Sequence, residues 1–185
     1  VIASATVEYP LYQEKNGWAE QDPLDWWHAS CETLQSVIGQ SGVDPRDIKG
    51  LGISGQMHGL VMLDKQGQVL RRSILWCDQR TAKQCEEITQ RVGKERLIQI
   101  TANPALTGFT ASKILWVREN EPELYAQCAH ILLPKDFVRY KLTGEFATEV
   151  SDASGMQLLD VPHRCWSQEV LEKLDIAPAL LAKVY

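Results

Sequence analysis

The 185-residue chain sets 19 Lys and Arg against 24 Asp and Glu, a formal net charge of -5, with 44% hydrophobic and 23% charged residues. That length suits one ordinary domain or one lobe of a larger protein, and that composition suits a globular core. An acidic chain has no general attraction for phosphate backbones or anionic lipid, and no apolar run approaches the ~20 residues that span a bilayer, so neither nucleic acid nor membrane is expected as a partner. The five cysteines (Cys31, Cys77, Cys85, Cys128, Cys165) form no CxxC pair and match no zinc spacing. They are expected as free buried thiols in a reducing cytosol, which places the protein in the cytoplasm.

Val1 to Pro10 is rich in β-formers (Val1, Ile2, Thr6, Val7, Tyr9) and predicts a strand ended by Pro10. The strand starts at the first residue and the chain stops in apolar residues, so a fragment of a longer polypeptide is expected, with no signal peptide visible. Trp18, in the polar loop that follows, is expected as a lid over the next helix. Asp22 then offers a cap, Pro23 fits the first helical position and Asp25 suits the positive helix end. That helix should run to about Gly39, with Trp27, Cys31, Leu34 and Ile38 on its core face.

After a short turn at residues 44–47, Ile48 to Ser54 reads as a buried strand, broken at Gly55 and Gly59 around Gln56, Met57 and His58. Glycine's conformational freedom would let the chain turn tightly there. Leu60 to Leu63 reads as a second strand and Asp64 to Gly67 as a hairpin turn. Ile74 to Cys77 is another apolar strand ending in the polar cluster Asp78-Gln79-Arg80, before a helix from Thr81. Further helices are predicted over 93–99, 109–119, 121–123, 135–142 and 168–174, with a strand at 130–133. The alternation defines an α/β class.

No GxxxxGK[ST] or GxGxxG motif is present, which disfavours a P-loop or Rossmann nucleotide site in this chain. His58 can be read as a core histidine, a metal ligand, a general base or a hydrogen-bonding residue at a pocket. No second ligand stands at metal spacing, and a neutral imidazole both donates and accepts, as a sugar hydroxyl requires. Trp76 and Asp78 lie two apart on a strand end and should share a side. They are either a packed Trp with a solvated Asp, or an aromatic wall with a carboxylate for a polyol. Arg80 is expected to pair with a nearby acid.

These stretches together resemble the FGGY family of carbohydrate kinases: residues 18–23 with Trp26-Trp27, Gly52 to Gly59, Ile74 to Arg80, Gly108 to Lys113, Leu132 to Asp136, Leu142 to Thr148 and Ser151 to Gly155. The resemblance covers nearly the whole chain in order. It implies an actin-like (ribonuclease H-like) ATPase fold of two lobes, with residues 1–185 as the truncated N-terminal, sugar-binding lobe, a mixed sheet with flanking helices. It implies transfer of the ATP γ-phosphoryl group, with Mg²⁺, to a primary hydroxyl. Gln56-Met57-His58 resembles members acting on D-xylulose, whereas glycerol kinases carry Gln-Arg-Glu there. By the same likeness Met57 and His58 contact the sugar, and Trp76 and Asp78 line its pocket. The family's phosphate loop would precede Val1. Its catalytic aspartate and ATP-binding lobe would follow Tyr185, so no catalytic, cofactor or metal residue is assigned here and the 185 residues alone should be inactive. An open sheet edge beside Val1 to Tyr9 is expected. A ribulokinase- or gluconokinase-like member and a non-catalytic sugar-binding module remain the alternatives, and a homodimer stays open.

Overall fold

In the computed structural model, which describes residues 1–185, Leu60 and Met62 enter one hydrophobic cluster while Val61 and Leu63 enter another. All four are fully buried. Successive strand side chains point to opposite faces, so this alternation marks a sheet covered on both sides. The strands are short: β1 (Glu20–Gln21), β2 (Val61–Leu63), β3 (Ser73–Ile74), β4 (His130–Leu132), β5 (Ala147–Thr148), β6 (Leu159–Asp160), β7 (Cys165–Trp166) and β8 (Lys183–Val184). They form four two-stranded ladders, with β1–β3, β2–β4 and β6–β7 antiparallel and β5–β8 parallel. Single bridges, Leu60 to Ile74 and Ile131 to Leu181, join three of these ladders into one mixed surface.

Helices cover both faces. The larger cluster takes Ile88 and Val92 from α2 (Ala82–Val92), Leu97 and Ile100 from α3 (Lys94–Thr101), Ile114 and Leu115 from α4 (Thr110–Asn120), and Leu171 and Leu174 from α8 (Gln168–Leu174). The smaller cluster takes Trp26 from α1 (Pro23–Ser41) and Phe137 from α6 (Pro134–Thr143). Two short helices, α5 (Pro122–Tyr125) and α7 (Val150–Ser154), complete the set. No helix is long and apolar enough to cross a membrane.

Helix ends follow the local chemistry. The Asp22 carboxylate accepts from the Leu24 amide at 2.9 Å, Pro23 opens α1, and Gly42 closes it in the left-handed region. The face of α1 differs from the expected one. Trp26 and Ala29 are buried, whereas Trp27, Cys31, Leu34 and Ile38 are only half-buried. Trp26 wins because its indole N–H finds the Gln21 carboxamide oxygen at 3.1 Å, which satisfies its polar end.

Two expected strands do not form. Residues 1–10 and 48–54 belong to no ladder. Ala3, Ala5 and Val7 are half-buried between exposed neighbours, a strand-like alternation without strand hydrogen bonds. Ile48 and Leu51 are exposed, so the segment approaching the turn is not a buried strand. Both segments have strand composition but no ladder partner within the chain. In the 185-residue chain, Leu51→Ala should therefore change denaturant stability by less than about 0.5 kcal/mol, whereas Ile114→Ala, in the larger core, should cost about 2–5 kcal/mol.

Candidate functional site

The turn at Met57-His58-Gly59 is tighter than a β-turn: the Gly59 amide donates to the Met57 carbonyl at 2.7 Å, closing three residues around His58. The residue with positive φ is His58, at 61°, and neither Gly55 nor Gly59 is in that region. This corrects the expected role of the glycines. They serve close approach instead, since a Cβ on Gly59 would lie 2.6 Å from Pro134 Cγ and 3.1 Å from its Cδ. A non-glycine residue at positive φ is uncommon and costs energy, and such residues gather at functional sites.

What holds His58 there is visible. Its carbonyl accepts from Thr110 Oγ1 at 3.0 Å and from Lys113 Nζ at 3.3 Å. Its ring meets the Phe109 ring edge-on, with centroids 4.9 Å apart. The other side of the ring lies on Gly155, where any Cβ would collide with it. Nδ1 is buried without a hydrogen-bond partner. Burial and the Lys113 charge lower the His58 pKa, opposed by Asp152 and a contact with the Gly155 backbone. The imidazole is therefore neutral near pH 7, able to donate and accept.

Met57 and Trp76 are exposed, at 39% and 50%. Trp76 and Asp78 do not share a side. The Asp78 amide donates to the Leu75 carbonyl at 3.2 Å, so residues 75–78 form a turn, where the two-residue strand period does not apply. Asp78 is fully buried. Its carboxylate accepts from the Ala19 amide at 2.7 Å, from Arg80 Nε at 3.0 Å to each oxygen, and from another guanidinium nitrogen at 2.7 Å. The carboxylate expected to line a sugar pocket is thus occupied by the chain itself. Arg80 has the acid partners expected of it, with Glu20 also at 2.7 Å. Trp18 stacks on this guanidinium at 3.6 Å and meets Trp116 edge-on, so it covers the ion pair and not α1.

Gln56 is anchored too, donating to Gln21 Oε1 at 2.8 Å. It lines a cavity of about 320 Å³ between residues 5–9, α1 and the start of α6 that contains none of Met57, His58, Trp76 or Asp78. The Gly108-Phe109 loop touches both turns: a Cβ on Gly108 would lie 3.1 Å from the Trp76 carbonyl oxygen, and the Phe109 ring meets His58.

No group of three or more His, Cys, Asp or Glu side chains could hold a metal ion. The cysteines are free, but Cys77 and Cys165 are exposed and the other three half-buried, so they are less buried than expected. Burial raises the Cys85 pKa and pushes Cys128 up to about 11, the reverse of an activated thiol. Phe109, Lys113 and Gly155, which surround His58, escape residue-by-residue reasoning. The one signal is a lysine set among the small residues Thr110, Ala111 and Ser112 that open α4.

Residues 1–185 match the model of the FGGY family of carbohydrate kinases, N-terminal domain. The chain is 46% identical to a xylulose kinase of Bacillus subtilis (strain 168), over 98% of this chain and 37% of that protein. It resembles the crystal structure of a xyloylose kinase from Brucella ovis with a TM-score of 0.91 and 35% identity, covering 96% of this chain and 37% of that one. A gluconate kinase from Lactobacillus acidophilus gives a TM-score of 0.88 at 27% identity, covering 97% of this chain and 36% of that one. The chain spans little more than a third of the length of these relatives.

Removing one partner of a buried ion pair leaves the other uncompensated. Asp78→Asn should cost about 3 kcal/mol in chemical denaturation, the low end of the range because Glu20 still pairs with Arg80. Unchanged stability with lost ligand binding would instead return Asp78 to direct contact.

Proposed function

The chain belongs to the FGGY family of carbohydrate kinases, and from that premise we propose that it is the sugar-binding lobe of a xylulokinase, which transfers the ATP γ-phosphoryl group to a hydroxyl of D-xylulose. Members of this family use ATP, usually with Mg²⁺. The observation that carries the reading is the His58 turn, a strained backbone that fixes a neutral imidazole between Phe109 and Gly155 with Met57 exposed beside it. Its chemistry fits a ketose. Met57 offers apolar contact to the carbon chain, His58 pairs with a hydroxyl, and the exposed face of Trp76 packs against C–H groups. Asp78 contributes through Arg80 and the Ala19 amide, by holding the Trp76 turn in place.

Phosphoryl transfer depends chiefly on positioning and charge stabilisation, so a rigid sugar site is itself a catalytic contribution. The general base is not supplied by these residues. Asp78 is committed to Arg80, and Asp152, the acid that acts on His58, is paired with Lys135 at 3.2 Å. An ATP-dependent sugar kinase works where ATP is made, so the protein is placed in the cytoplasm. A homodimer is compatible with this reading.

The structural likeness to a gluconate kinase favours a second reading, a sister kinase acting on another sugar. A panel of D-xylulose, D-ribulose, D-gluconate and glycerol, assayed on the full-length polypeptide by ADP release, separates the two. D-Xylulose should give the highest kcat/KM, and clear preference for another sugar refutes the first reading. No turnover on any of them supports a binding module. His58→Ala should weaken sugar binding by ~1–3 kcal/mol, because it leaves a hydroxyl unpaired. Residues 1–185 alone should show no turnover.

A further inference from the structure

Lys113 is fully buried, yet it has no carboxylate partner. All its hydrogen bonds go to backbone carbonyls: Gly108, Phe109 at 3.0 Å and His58 at 3.3 Å. It stands in the first turns of α4, near the positive end of the helix dipole, where a cation is disfavoured. Burial pulls its pKa down to about 7, and the charge of Asp78 only partly opposes this. As a stabilising device the residue is a poor choice, because a methionine of similar length would fill the space without a buried charge.

What the ammonium provides is geometry. It carries three donors and no acceptor, and three carbonyls from two separate loops converge on it. One is the carbonyl of the strained residue itself, and the other two belong to the loop that abuts the Trp76 carbonyl. Thr110 adds a second donor to the same His58 oxygen. An arginine could not replace it, since its planar fork cannot converge on three oxygens.

We propose that Lys113 is a positioning residue for sugar recognition: its ammonium ties the His58 turn to the Gly108-Phe109 loop and so holds the imidazole where a sugar hydroxyl meets it. The link to sugar rests on the kinase reading above, whereas the tie itself does not. Without Lys113, His58 loses a bond that supports its left-handed conformation, and the ring moves off Phe109 and Gly155. Sugar affinity falls, and the ATP site is untouched.

The test is Lys113→Met in the full-length polypeptide, with histidine labelled at Cε1. By NMR, the His58 resonance, shifted by the Phe109 ring, should move toward that of an exposed histidine. Those of His28, His130 and His163 should hold, which separates repositioning from general loss of structure. The Kd for D-xylulose should rise about tenfold or more while the KM for ATP stays within about twofold. An unmoved His58 resonance overturns the proposal, and a moved resonance with unchanged sugar affinity overturns its link to recognition. If Lys113→Met does not fold, Lys113→Gln, which keeps part of the donor set, must still shift His58 from its wild-type resonance, and no shift again overturns it. Should the wild type bind none of the sugars, the kinase reading fails while the NMR result still decides the tie.

Discussion

One backbone conformation sets the terms for the candidate site. His58 sits at positive φ inside a three-residue turn, a state an isolated chain would leave at once. It persists because every side of the residue is engaged: its carbonyl by Thr110 and Lys113, its ring by Phe109 and Gly155, and the following glycine by Pro134. These partners come from α4, α6 and the end of α7. The turn is therefore a point where three parts of the chain must agree, and substituting any of them changes where the imidazole points.

The sheet explains why that agreement is rigid. Leu60 to Leu63 follow the turn directly and are buried on both faces, so the backbone leaving Gly59 has no freedom to shift. On the neighbouring strand end, the Asp78–Arg80–Glu20 network does comparable work, capped by Trp18 and tied to the Ala19 amide. Exposed Met57 and Trp76 stand on two turns that are each fixed from below. Preorganisation of this kind lowers the entropy lost when a flexible polyol is held for reaction.

Where the chemistry is local, the sequence was legible. The Asp22-Pro23 start of α1, the Asp64 to Gly67 hairpin turn and the strand at 130–132 formed where expected. The family was legible too, because its motifs span the chain. Features set by distant partners were not. Residues 1–10 and 48–54 have strand composition, but a strand requires a neighbour, and composition does not show whether one is present. Trp76 and Asp78 were placed on one side by a strand period that a turn abolishes. The glycines drew the backbone argument that belonged to His58, because the histidine is held by side chains more than 50 residues away. Lys113 stayed hidden because a lysine in a helix is normally solvated, and only the fold brings three carbonyls to it.

In the proposed function, the Met57-His58 turn and Trp76 together form the face that receives the sugar. Intermolecular nuclear Overhauser effects between D-xylulose and the full-length polypeptide test it most directly. Cross-peaks are expected from the sugar's carbon-bound protons to the Met57 methyl, the His58 ring and the Trp76 indole. Bound D-xylulose showing cross-peaks only to other residues, with these three silent, would contradict it.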